Sequence, residues 1–161
     1  MRQFRVGIVG CGEAAQILHL PSLYQLADKF NVTALCDASN AVLQGVGEHW
    51  RVSKRFLDYR ELVAQDDVDI VLIANPNAYH ADITLAAIQA GKHVLVEKPM
   101  CMTMREAECV LAGRGFIRIH RRFLVNGRKI CVVAGTKGDR WVRIGGNELP
   151  VGRRYAVHLD G

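Results

Sequence analysis

"VGIVGCGEAA", residues 6–15, decides how the rest of this chain is read. An apolar run leads into Gly10, Gly12 and Ala15, which stand as G-x-G-x-x-A. In a strand-to-helix turn the first small residue permits the sharp bend. The second lets the backbone approach a pyrophosphate, and the third lets helix pack closely on strand. The helix that follows points unpaired N–H groups and a partial positive charge at the same spot. Small residues are common at turns, so the pattern gains its meaning only from its neighbours.

Those neighbours fit. "FRVGIVG" (4–10) reads as a buried strand, and Ile17, Leu18, Leu23 and Leu26 are spaced for one face of a helix over 13–26. "NVTALCD" (31–37) reads as a second strand and ends in Asp37, near the ~20-residue offset at which a carboxylate meets the ribose of a bound dinucleotide. That carboxylate accepts the ribose hydroxyls of NAD and repels a 2′-phosphate. Ala38 and Ser39 follow without an arginine, so NAD is expected over NADP. Gly10, Cys11, Gly12, Glu13, Ala14, Ala15 and Asp37 are therefore candidate cofactor-binding residues. Cys11 sits near a helix N-terminus, a place that can lower a thiol pKa.

Farther on, the pattern keeps alternating. "NAVLQGVGEHW" (40–50) reads as a short helix, "KRFLD" (54–58) as a strand and "YRELVAQ" (59–65) as a helical turn or two. "DIVLIAN" (69–75) reads as a buried strand, "YHADITLAAIQA" (79–90) as a helix closed by Gly91, and "KHVLVE" (92–97) as the next strand. Thr103 and Glu106 form a T-x-x-E capping box for a helix to about Ala112. Strands alternating with helices predict an α/β fold, a Rossmann-type doubly wound parallel sheet. Ligands of such sheets bind at the carboxyl ends of strands. That adds Asn75, Pro76 and Asn77 after one strand and Glu97 and Lys98 after the next. Lys98 is placed to orient a substrate hydroxyl or pass its proton. Pro99 shapes the turn, with a cis Lys98–Pro99 bond open. His80 begins a helix beside them, either as a site residue or as a partly exposed helix-start histidine.

Composition bounds the rest. The 161 residues, half of them hydrophobic, make one domain or one domain and part of another. No run suggests a membrane span or a leader, so a cytoplasmic protein without membrane partners is expected. The five cysteines form no C-x-x-C pair, which suits a reducing compartment and argues against a metal site. Charge is uneven: 10 Lys/Arg face 13 Asp/Glu before Gly113, and 11 face 3 from there on. The tail reads less clearly. "FIRIH" (116–120) suits a strand, and "FLVNGRKICVVAG" (123–135) a hairpin around Asn126-Gly127 or a poor helix. "RWVRIGGNELPVGRRYAVHL" (140–159) suits two strands around a glycine turn. Its basic residues include Arg118, Arg121, Arg122, Arg128, Lys129, Arg153 and Arg154. With no recognisable nucleic-acid motif, no nucleic-acid partner is expected.

"GIVGCGEAAQILHLPSL", "VTALCD", "VDIVLIANPNAYH" and above all "AGKHVLVEKPM" resemble the cofactor domain of the glucose-fructose oxidoreductase / inositol dehydrogenase (Gfo/Idh/MocA) family over residues 4–112. The resemblance implies an oxidoreductase passing hydride between NAD(P) and a sugar, inositol or related polyol. Lys98 would be its catalytic lysine, with Gly10, Gly12, Asp37, Asn75, His80 and Glu97 around the dinucleotide. A non-catalytic dinucleotide-binding module is the alternative. Against the family the tail is short. "IHRRF" (119–123) and "AGTKGD" (134–139) resemble the start of its second domain, so residues 1–118 are expected as the Rossmann domain. Residues 119–161 are expected as a truncated α+β remnant, which could complete a sheet in a homo-oligomer.

Overall fold

A computed structural model describes residues 3–136 and 139–159. Contacts divide the chain into two units, Met1–Met102 and Thr103–Gly161. In the first, β1 (Phe4–Val9), β2 (Phe30–Cys36), β3 (Lys54–Phe56), β4 (Ile70–Ile73) and β5 (His93–Val96) form one sheet in the order β3-β2-β1-β4-β5. All four strand pairs are parallel. The helices are α1 (Leu20–Gln25), α2 (Asn40–His49), α3 (Tyr59–Val63) and α4 (His80–Gln89).

Two apolar clusters hold the sheet between its helices. One joins Ile8, Leu35 and Leu72 to Ala15, Leu20 and Leu43; the other joins Val9, Val71 and Ile73 to Leu62, Ile83 and Ala87. β1 and β4 supply residues to both clusters. This is why their runs are apolar throughout instead of alternating. Gly91 at φ +72 ends α4 as its spacing predicts.

The first helix departs from expectation. The chain is helical from residue 13 to 25, close to the expected span, but Ala15–His19 form a π-helical turn that runs into α1 at Leu20, with Pro21 in its first turn. Pro21 has no N–H to give to the preceding turn, and its ring crowds the carbonyl four residues back. The wider turn rotates the face, so Ala15 and Leu20 are buried while Ile17 and Leu18 lie exposed.

In the second unit, α5 (Met104–Leu111) carries the expected capping box: Glu106 N–H donates to Thr103 Oγ1, and Thr103 N–H to Glu106 Oε2. β6 (Phe116–His120) pairs with β7 (Phe123–Asn126), and β8 (Val132–Ala134), β9 (Arg140–Ile144) and β10 (Asn147–Val151) form an antiparallel sheet. β7 and β8 do not pair with each other, so the hairpin expected around Asn126-Gly127 is absent. Asn126 Oδ1 instead accepts Arg128 N–H and opens a 3-10 turn that carries the chain between sheets. The second expected hairpin is present, with Gly145 and Gly146 both at positive φ, as a type I′ two-residue turn requires. Ile119, Val125, Val142 and Val151 centre a small core. Within "AGTKGD", Lys137 and Gly138 lie outside the described residues. Among the described residues no helix is long and apolar enough to cross a membrane, and no group of His, Cys, Asp and Glu could hold a metal ion.

Candidate functional site

The parallel ladder brings distant residues to one edge. Gly10 N–H donates to Cys36 O at 2.8 Å, Ala74 N–H to Val9 O at 2.8 Å, and Glu97 N–H to Ile73 O at 2.9 Å. Gly10, Asp37, Asn75 and Glu97 thus follow neighbouring strand ends. The strand order reverses between β1 and β4, where a crevice opens in folds of this kind.

A cleft of about 890 Å³ lies there, lined by Gly10, Gly12, Asp37, Asn75 and Pro76. Gly10 has φ +92, and a Cβ on it would stand 2.4 Å from Asn75 N. Only glycine lets the two strand ends meet so closely. Gly12 is different: a Cβ there would touch nothing within 4 Å, so the protein itself leaves that space open. Asn75 Oδ1 is buried without a partner among the described residues. An open cradle and an orphaned acceptor fit a polar ligand such as a dinucleotide.

Asp37 ties the glycine loop down. Its Oδ2 accepts Cys11 N–H at 2.8 Å and its Oδ1 accepts Ser39 N–H at 2.8 Å. Each oxygen keeps a second lone-pair site for a hydroxyl. Cys11 itself is buried, and burial, reinforced by Asp37, pushes its thiol up to about 12. The lowered thiol pKa expected from its place near a helix start is therefore reversed, because desolvation outweighs the helix end. Ala15 is buried, Ala14 half-buried and Glu13 exposed.

The other constellation follows β5. Glu97 Oε2 accepts Lys98 N–H at 3.1 Å, and its Oε1 lies 2.9 Å from His19 Nε2. These two partners, the backbone N–H first, hold the Glu97 carboxyl below its usual range. Lys98 is exposed, and the Lys98–Pro99 peptide is cis. His80 is fully buried, not a partly exposed helix-start residue, with Nδ1 2.7 Å from Pro99 O and Nε2 2.7 Å from Asn75 O. Among the described residues, Asn77, His80, Glu97 and Lys98 do not line the large cleft.

Several lining residues escape the sequence reading: Ser39, Leu57, Asp58, Tyr59, Arg60 and Tyr79. Most follow β3, a strand of three residues whose neighbour in the sheet is not visible in the sequence. His19 lies inside the quoted "LHLPSL", but nothing in its spacing announces Glu97.

The model of the oxidoreductase family with an NAD-binding Rossmann fold, Gfo/Idh/MocA, matches residues 4–113. The chain belongs to that family. It is 35% identical over 115 residues to an alpha-N-acetylgalactosaminidase of Shewanella oneidensis, covering 66% of this chain and 25% of that protein. It therefore spans about a quarter of the length of such curated relatives. Among solved structures, the WlbA dehydrogenase of Bordetella pertussis in complex with NADH and UDP-GlcNAcA has a TM-score of 0.65 at 27% identity, over 68% of this chain and 33% of that one. KijD10, a 3-ketoreductase from Actinomadura kijaniata in complex with NADP and TDP-benzene, has a TM-score of 0.63 at 32% identity, over 69% and 34%. These family neighbours are sugar-related, and both NADH and NADP occur among them. A second model, the LytTr DNA-binding domain, matches residues 78–160. Within that range α4 and β5 belong to the first unit, β5 as a strand of the parallel sheet, so only the part of this match from Thr103 onward falls on the second unit. It is at odds with the expectation of no nucleic-acid partner.

Proposed function

We propose that the first unit binds a nicotinamide dinucleotide, NAD in preference to NADP, and serves hydride transfer to or from a sugar, inositol or related polyol. The observation that carries this is the cleft at the β1/β4 ends, where Gly12 leaves open space and Asp37 grips the loop at Cys11 N–H. Gly12 and the adjoining helix start would meet the pyrophosphate, Asp37 the adenosine ribose, and Asn75 the nicotinamide side. The dinucleotide supplies the hydride donor or acceptor when bound. Lys98 would hold the substrate hydroxyl and exchange its proton, as the exposed cation at the end of β5. Arg60 also lines the cleft, but Asp58 pairs with it at 3.3 Å, which offsets its attraction for a 2′-phosphate. Calorimetric titration with NADH and NADPH tests the reading. Tighter NADH binding supports it; equal or absent binding by folded chain defeats it. Turnover with a panel of polyols then separates the enzyme from a non-catalytic dinucleotide-binding module.

A second reading concerns the second unit alone. The LytTr match, with Arg121, Arg122, Arg128, Lys129, Arg153 and Arg154 all exposed, favours phosphate contacts to nucleic acid. Duplex binding should then weaken steeply with salt and weaken further in Arg121→Ala and Arg153→Ala. A chain that retards no duplex at low salt removes this reading.

A further inference from the structure

His80 is the one histidine among the described residues that is fully shut away from solvent. It makes no contact that a ligand could share: both ring nitrogens are occupied, Nδ1 against Pro99 O and Nε2 against Asn75 O, each at 2.7 Å. A neutral imidazole has one N–H and one lone pair. At 2.7 Å that lone pair would face the lone pairs of a carbonyl across a hydrogen-bond distance with no hydrogen between them. Two carbonyl acceptors satisfy the ring only if both nitrogens carry a proton. A buried cation is costly, and the cost is offset only by charge-assisted bonds to well-placed dipoles. Here two backbone carbonyls supply them.

The two carbonyls belong to the two strand ends that matter. Asn75 follows β4 and lines the cleft, while Pro99 closes the Glu97-Lys98-Pro99 turn after β5. We propose that His80 is an imidazolium clamp, a positioning residue that donates one N–H to each strand end and thereby holds the Lys98 turn against the Asn75 edge of the cleft. The His19–Glu97 contact secures the same turn at its other end. The link to catalysis rests on the proposed role of Lys98; the clamp itself does not.

The charge state is open to direct observation. In the full chain labelled with ¹⁵N-histidine, without dinucleotide, the His80 ring is assigned as the signal lost in His80→Gln. At neutral pH both of its nitrogens should resonate as protonated. A spectrum with one protonated and one bare nitrogen overturns the clamp. Glutamine carries both donors on one nitrogen and an acceptor oxygen on the other branch, so it cannot set a donor at each of the two ring positions. Hydrogen exchange read by mass spectrometry should therefore quicken about tenfold or more over residues 96–99 in His80→Gln, while β1 and β4 keep their protection. Unchanged exchange at the turn, or equal loss of protection throughout the sheet, defeats positioning. Should His80→Gln fail to fold, the wild-type ring spectrum decides, assigned through ring-to-backbone couplings. NADH titration of the same samples is the separate test of dinucleotide binding. A doubly protonated ring in a chain that binds no NADH would keep the clamp and remove the cofactor reading.

Discussion

Alanine at Gly10 and at Gly12 should fail in opposite ways, although both stand in the same motif. At Gly12 an added methyl meets no heavy atom within 4 Å, and its backbone is outside the left-handed region. Folding should be unharmed, or stabilised by about 0.4–1 kcal/mol through the narrower unfolded ensemble. The same methyl occupies the space proposed for pyrophosphate, so NADH affinity should drop about tenfold or more, ~1.4 kcal/mol. At Gly10 the backbone sits at φ +92, and the new Cβ would fall 2.4 Å from Asn75 N and 2.6 Å from Ala74 C. The left-handed conformation alone costs about 1–2 kcal/mol. The clash is with backbone that cannot rotate away, and parting β1 from β4 brings the loss to roughly 3 kcal/mol or more. That is a large share of the ~5–15 kcal/mol typical of a folded domain. Urea denaturation reads the first quantity and calorimetric titration the second. A Gly12→Ala chain that binds NADH as tightly as wild type would refute the cradle. A Gly10→Ala chain of wild-type stability would refute the packing argument.

Thiol labelling of the native chain should modify Cys109 and Cys131, which are exposed, and spare Cys11 and Cys36 until the chain is unfolded. Burial pushes both of the latter thiols up to about 12, so rapid native labelling of Cys11 would contradict its placement. Glu97, held below its ordinary 4.5 by Lys98 N–H and His19, binds fewer protons folded than unfolded across that interval. Its contribution is present above about pH 4.5 and is lost as pH falls through the lowered value. Glu97→Gln should flatten the acid limb of the stability curve; an unaltered limb would show that the carboxylate's contacts do not matter in solution. Thr103→Ala removes the capping-box acceptor of Glu106 N–H and should cost the second unit about 1 kcal/mol, read from its own denaturation signal. No change in that signal would mean the helix start is held by other contacts.

Much of the first unit was legible because its signals are local. β1, β4 and β5 are apolar runs bounded by glycine, asparagine and glutamate, and the Thr103/Glu106 box of the second unit is legible for the same reason, forming within one turn. Asp37 could be placed because the offset from the glycine loop is set by a single β-α-β unit. What escaped was whatever depends on two chain segments meeting. The π-helical turn at Ala15–His19 breaks the helical period that Ile17 and Leu18 were read from. His19 finds Glu97 seventy-eight residues away. Tyr59 and Arg60 reach the cleft only because β3 lies beside β2.

The tail was harder for a physical reason. Its strands run three to five residues, and each sheet pairing joins segments whose turn chemistry must be judged alone. Asn126-Gly127 and Gly145-Gly146 look alike as turn signals, yet only the second closes a hairpin. The difference lies in the residues that follow. After Gly145-Gly146, Leu149 and Val151 return in register opposite Val142 and Arg140, so the apolar residues of β9 and β10 reach one small core. After Asn126-Gly127 come Arg128 and Lys129, both exposed; folding straight back onto Leu124 and Val125 would bring them beside buried Val125. The chain instead spends a 3-10 turn on those cations and starts β8 in another sheet. A turn pair therefore marks where a chain can reverse, and at Gly145-Gly146 the reversal goes with an alternation that brings Leu149 and Val151 back to the core in register.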